Sequence, residues 1–221
     1  MSKIKMQGIL LIGMPYSGKS TIGRKVAEML GFSFFDGDTE IEKSCPDRQK
    51  YLDDYGDEEY VNMEAKVIMK LPIKNSILAP GGSIIYSEKA KKYLKSCFKV
   101  YLDASLDTIK KRITAIDRRG IVKLKKLGLE ALYAERKQMF KSYCDIMLNG
   151  DEKDAEELSR VIINEYSLKN LAKPKIKISY KSTNGKSNSS FSEALKLGLA
   201  PDNGLFVPDK IPFFSKDEIR L

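Results

Sequence analysis

The stretch GMPYSGKST, residues 13–21, follows the short apolar run GILLI at residues 8–12, and its reading decides how the rest of the chain is understood. Gly13, four further residues, then Gly18, Lys19 and Ser20 match the phosphate-loop pattern G-x-x-x-x-G-K-[ST], which has meaning only between a strand and a helix. Both neighbours are present: the apolar run has strand length, and a helical period follows from residue 18. Glycines at these positions let successive backbone N–H groups turn inward around phosphates at the positive end of the next helix. In this reading Gly13, Met14, Ser17, Gly18 and Thr21 surround the nucleotide phosphates, Lys19 neutralises the β- and γ-phosphates, and the Ser20 hydroxyl ligates Mg2+.

Outward from the loop, 221 residues suffice for one buried core plus an appendage. A 42% hydrophobic and 31% charged composition is that of a globular protein, and no apolar run approaches the ~18–20 residues that span a bilayer, so no membrane partner is expected. A secretory leader is not expected either, because the first apolar stretch ends at Pro15 and Lys19 without a small-residue cleavage site. Cys45, Cys97 and Cys144 form an odd, widely spaced set that fits reduced thiols and a cytoplasmic location. The absence of histidine excludes His-based triads and His metal ligands. The formal charge of +9 comes mostly from lysines scattered through helical segments such as EKAKKYLKS. That pattern reads as a solvated face that helps to steer anionic nucleotides, with no nucleic-acid partner expected.

Strand-length apolar runs alternate with helical segments up to about residue 166, the signature of a parallel sheet covered on both faces. Strands are expected at residues 8–12, 33–36, 76–79, 98–102 and 145–148, and helices at about 18–30, 57–71, 87–95, 105–115, 127–141 and 152–167. Residues 116–127, IDRRGIVKLKKL, are basic and without a clear period, and read as a mobile loop. The composition then shifts to Lys, Ser and Asn with Pro174, which marks a linker over 169–178 between a first domain, 1–168, and a second, 179–221. About fifty residues rarely fold alone without metal or disulfides, so the second piece either packs on the first or opens something larger.

A phosphate loop alone does not separate a GTPase, a motor ATPase and a metabolite kinase. The run FFDGDTEIE ends a strand with Asp36 and Asp38, two carboxylates placed at the carboxyl edge of the sheet, where open α/β sheets bind ligands. A helix N-cap with acidic first-turn residues would also explain Asp38 and Glu40 without any chemistry. Taken in order, the phosphate loop, FFDGDTEIEKS, APGGSI, KVYLDASLDTIKKR, DRRG and AERKQMFKSYCDI resemble shikimate kinase over about residues 7–166.

The resemblance implies a nucleoside-monophosphate-kinase-like α/β fold with a five-stranded parallel sheet, which moves the γ-phosphoryl group of ATP to a small hydroxyl-bearing acid with Mg2+ as cofactor. It implies that Asp36 holds Mg2+ through water and that Asp38 orients the acceptor hydroxyl and takes its proton. Gly81 and Gly82 fall where the family has a glycine triplet near the acceptor, although the third position is Ser83. Arg136 matches the arginine that grips the substrate carboxylate, Arg119 or its neighbour Arg118 the lid arginine over the phosphates, and Arg112 the residue facing adenine.

Two departures are informative. The family carries Phe-Arg-x-x-Glu on its acceptor helix, whereas this chain reads YVNME, residues 60–64, so the arginine has become Val61 while Glu64 remains. Losing one of two charge-assisted contacts to a carboxylate costs roughly 2–4 kcal/mol, about thirty- to a thousandfold in affinity. The second departure is RGIV in place of Arg-Pro-Leu-Leu in the lid.

Downstream, YKSTNGKSNSSFSEALKLGLAPDNGLFVPDKIPFF at residues 180–214 resembles the N-terminal segment of threonine synthase, an enzyme that consumes O-phosphohomoserine. The pairing makes homoserine the favoured acceptor and a threonine-synthase-like catalytic domain a candidate partner. Arg136 would hold the homoserine carboxylate, Asp38 or Glu64 its ammonium, and Val61 would shrink and dry the site. Shikimate is the alternative acceptor, with another cation standing in at the site, and an ATP-binding regulatory module without turnover is a further one.

Overall fold

The computed structural model describes residues 6–113, 120–151, 153–170, 179–185 and 188–209. The chain divides into two units, residues 1–170 and 171–221. In the first, β1 (Gly8–Ile12) leads through the phosphate loop into α1 (Lys19–Leu30) and β2 (Ser33–Asp36). Two helices follow, α2 (Gly37–Glu42) and α3 (Arg48–Ile68), and then β3 (Ser76–Ala79) and a 3-10 turn (Gly82–Tyr86). The remainder is α4 (Glu88–Tyr93), β4 (Cys97–Asp103), α5 (Leu106–Arg112), α6 (Leu124–Tyr143), β5 (Ile146–Asn149) and α7 (Ala155–Asn170).

The five strands form one parallel sheet in the order β2-β3-β1-β4-β5, with Ile9 opposite both Ile77 and Phe98. All five residues of β1 are buried because both faces are covered, which is why that strand reads as a continuous apolar run and not an alternation. Leu10 and Ile12 pack with Ala65 and Ile68 of α3 and Leu132 and Phe140 of α6. Ile9 and Leu11 pack with Ile22 and Val26 of α1 and Leu158 and Ile162 of α7. Each of these strand side chains is at most 1% exposed and contributes about 1.5–3 kcal/mol through burial. The carboxyl ends of β1, β2 and β3 therefore open onto the same edge, and the site is built there.

The expected strands are all present within a residue at either end, but three helical segments differ from expectation. The short helix α2 follows β2 directly, with the Asp36 side chain accepting from the backbone N–H groups of Asp38 and Thr39 as its N-cap. Helix α3 begins at Arg48, well before residue 57, and is interrupted at Gly56 (φ 79°, ψ 176°). Helix α6 begins at Leu124, inside the segment read as a loop, and is interrupted at Gly128 (φ 75°). A glycine at positive φ splits each helix into two runs of different phase, so no single apolar period crosses it. The first part of that expected loop, residues 116–119, lies outside the described residues.

In the second unit, β6 (Ser179–Ser182) pairs antiparallel with β7 (Asn188–Ser190) and β8 (Phe206–Pro208), and α8 (Phe191–Leu197) follows β7. Ser190 and Glu193 cap α8 reciprocally, the Ser side chain accepting from the Glu193 N–H and the Glu side chain from the Ser190 N–H. Among its described residues only Ser182, Ala194, Ala200 and Gly204 are buried, while Phe191, Leu195, Leu197, Leu199 and Leu205 are more than half exposed. No helix among the described residues is long and apolar enough to cross a membrane.

Candidate active site

A cavity of about 470 Å³ opens at the carboxyl edge of the sheet and joins the phosphate loop to residues from α2, α3, the 3-10 turn and α6. At one end, Gly18 is the N-cap of α1 and supplies no side-chain cap, so the first-turn N–H groups of that helix face the cavity without competition. Lys19 folds back on the loop, its Nζ donating to the carbonyl oxygens of Gly13 at 3.1 Å and Met14 at 2.7 Å. Burial pushes the Lys19 ammonium down to about 8, against the opposing pull of Asp38 and Asp36. Arg112 at the end of α5 donates from Nη1 to the Tyr16 carbonyl at 3.0 Å, which ties α5 to the loop.

At the other end, Asp38 stands at the start of α2 and accepts at Oδ1 from Arg48 Nη1 at 2.6 Å. Glu64 of α3 is buried, and its Oε2 accepts from the Ser83 hydroxyl at 2.6 Å. Burial pushes the Glu64 carboxyl up to about 7, the Ser83 hydrogen bond and Arg136 opposing. Arg136 of α6 is also buried, donating from Nη2 to the Val122 carbonyl at 3.0 Å and lying 5.4 Å over the Tyr86 ring. Between these groups run Gly81 and Gly82. A Cβ on Gly82 would fall 2.8 Å from Arg136 Nη1 and 3.2 Å from the Gly13 carbonyl oxygen, and one on Gly81 would overlap Glu64 Oε1. A side chain on Gly82 would therefore narrow the passage between the phosphate loop and the buried cation.

Two buried side-chain oxygens lack a hydrogen-bond partner among the described residues, Ser17 Oγ and Glu64 Oε1, and both line this cavity, one at each end. The Gly81 N–H lends Glu64 a weak contact short of a full bond to Oε1. Buried polar atoms left this way are unfavourable by about 1–3 kcal/mol each, and a phosphate at one end and a hydrogen-bond donor at the other would satisfy them.

Of the residues expected from sequence, 17–21, Asp36, Asp38, Glu64, Gly81, Gly82, Arg112 and Arg136 line the cavity. Gly13 and Met14 stand behind it as acceptors for Lys19. Val61 does not line it: its side chain is buried in an apolar cluster with Leu52, Tyr60 and Val122. Arg118 and Arg119 lie outside the described residues. Sequence reading missed Arg48, whose contact with Asp38 joins two helices, and Ser83, which looked like a lost glycine and is the partner of Glu64.

The donor set also fits Mg2+. The Ser20 hydroxyl and the Asp36 carboxylate are hard oxygen ligands beside the phosphate loop, and among the described residues no cluster of three or more acidic or cysteine side chains would make an all-protein cage. Magnesium characteristically takes one or two protein ligands and completes its shell with phosphate and water. One Asp36 oxygen is occupied as the cap of α2, and Oδ2 takes no hydrogen bond among the described residues.

A central parallel sheet, a phosphate loop on its first strand and a second, acceptor-sized compartment across two glycines define a phosphate-loop kinase of small metabolites. The shikimate kinase family model matches residues 15–167, and the threonine synthase N-terminus model matches residues 179–221. The shikimate kinase of Wigglesworthia glossinidia brevipalpis is 34% identical over 167 residues, covering 73% of this chain and 96% of the relative. That of Persephonella marina is 31% identical over 161 residues, covering 72% and 98%. Among solved structures, shikimate kinase from Aquifex aeolicus superposes with a TM-score of 0.60 at 27% identity over 74% of this chain and 98% of its own. The Acinetobacter baumannii enzyme in complex with shikimate gives 0.67 at 24% identity over 76% and 97%. The chain belongs to the shikimate kinase family, whose members are ATP-dependent kinases that use Mg2+ and phosphorylate a hydroxyl.

Proposed function

We propose that the protein transfers the γ-phosphoryl group of ATP to a hydroxyl of shikimate. The observation that carries this reading is the single cavity that joins the phosphate loop to Asp38, Glu64 and Arg136 across the two glycines. The acceptor follows from the relatives, which are named shikimate kinases and are matched over nearly their whole length. The favoured expectation from sequence, homoserine, is less well supported than shikimate by these relatives.

In this reading Lys19 exchanges the loop carbonyls for the β- and γ-phosphates, and Ser17 Oγ gains a phosphate oxygen as partner. Ser20 and Asp36 hold Mg2+, which supplies charge neutralisation on the phosphate oxygens. Asp38 aligns the acceptor hydroxyl and receives its proton, Arg136 binds the carboxylate, and Glu64 Oε1 takes a second hydroxyl of the acceptor. Arg112 stands on the adenine side, and Arg119 is the residue assigned to the transferring phosphoryl group. Residues 1–168 form the kinase domain of this reading, 169–178 the linker and 179–221 a threonine-synthase-like segment.

One observation favours L-homoserine as a second reading. Position 61 carries no cation, and the buried Glu64 Oε1 would accept equally well from an ammonium. A coupled ADP-release assay with Mg-ATP and shikimate or L-homoserine in parallel decides between them. Turnover with shikimate is expected; turnover with homoserine alone would overturn the shikimate assignment, and turnover with neither would leave a nucleotide-binding module.

A further inference from the structure

Arg48 opens α3 with a side chain only 6% exposed, its Nη1 on Asp38 Oδ1 at 2.6 Å and its Nη2 on Glu42 Oε1 at 3.2 Å. A guanidinium buried this deeply is unfavourable unless opposite charges and hydrogen bonds compensate it, and here two carboxylates of one short helix do so. Packing alone gives no reason for a cation at this place. The neighbouring side chains of Leu52, Val61 and Val122 are apolar, and the Tyr60 hydroxyl is a further polar partner of the guanidinium. The backbone of Arg48 is closely packed as well: a Cβ on Gly120 would lie 2.9 Å from the Arg48 carbonyl oxygen.

We propose that Arg48 is a positioning residue of the acceptor end, which fixes the Asp38 carboxylate toward the acceptor hydroxyl. The proposal rests on the kinase reading and deepens it. A planar guanidinium bridging Asp38 and Glu42 restrains the rotation of the Asp38 carboxylate, and so sets where a hydroxyl must sit to be aligned with the γ-phosphate. Lysine, a point charge on a flexible stem, would keep the attraction but lose the fixed plane.

The test is steady-state kinetics of the full chain and its Arg48→Met and Arg48→Lys variants with Mg-ATP, using whichever of shikimate and L-homoserine the wild type consumes. Arg48→Met is expected to lower kcat about 30- to 300-fold while leaving the KM for ATP within about threefold, through loss of the buried charge-assisted contact to Asp38 together with that to Glu42. Arg48→Lys is expected to recover about tenfold of that loss. ADP binding and thermal melting of each variant show whether the fold has survived. An Arg48→Met enzyme that keeps kcat within about twofold overturns the proposal, as does a Lys variant no better than Met with ATP binding weakened equally in both. Failure of the acceptor assignment reads differently, as a wild type that does not consume shikimate.

Discussion

The donor end of the cavity holds its groups by backbone, while the acceptor end holds them by side chains from distant elements. Lys19 rests on two carbonyls five and six residues away, and the first turn of α1 presents its own N–H groups. Glu64 depends on Ser83, Asp38 on Arg48 and Arg136 on the Val122 carbonyl, contacts that span 10 to 19 residues of sequence. A loop that fixes itself survives change elsewhere in the chain, whereas a site assembled from three helices and a turn can be retuned one contact at a time.

If the division holds, substitutions at the two ends separate in kinetics. Lys19→Met is expected to lower turnover with every acceptor by about 10²- to 10³-fold through lost stabilisation of the transferring group. Its melting temperature without nucleotide should not fall, because a desolvated cation has been removed. Equal turnover by this variant would break the donor assignment. Arg136→Met should raise the acceptor KM about 30- to 300-fold with ATP binding unchanged, and a matching rise in the KM for ATP would erase the distinction between the ends.

A third effect concerns stability. The Glu64 carboxyl is pushed up from 4.5 to about 7 by burial, so the folded protein holds a proton there that the unfolded chain has released. Stability therefore falls as pH rises from about 4.5 to 7 and levels off above, by roughly 3 kcal/mol from this group alone. Urea titrations across that range should show the slope in the wild type and a flatter dependence in Glu64→Gln. A slope unchanged by the substitution would place its origin elsewhere. Gly81→Ala should have the smallest effect, about 1–2 kcal/mol from overlap with the Glu64 carboxylate, expressed in acceptor KM and not in ATP KM.

The same division governs what the sequence makes legible. Residues 8–21 reveal strand, loop and helix together because each signal is local: an apolar run, fixed glycine spacing and a basic residue before a hydroxyl. Asp36 was readable as a ligand and the cap was read into the residues after it, whereas the structure makes Asp36 itself the cap of α2. Arg48 left no trace in the sequence, since RQKYLDDYG has no clean apolar period and Gly56 breaks its phase with the helix that follows. Val61 was legible as a missing cation but not as a member of an apolar cluster turned from the cavity. Ser83 looked like the loss of a glycine, because its partner Glu64 lies 19 residues back and across the sheet edge.

The central place of β1 has a kinetic side. Its two neighbours, β3 and β4, come from residues 76–79 and 97–103, so the strand that carries the phosphate loop is completed only by closures across most of the first unit. Such non-local pairings form slowly and late. The nucleotide can recognise its loop only once they are in place, which makes ATP an effector of folding as well as a reactant. At about a hundred times its Kd it adds about 2.7 kcal/mol to the stability of the folded unit.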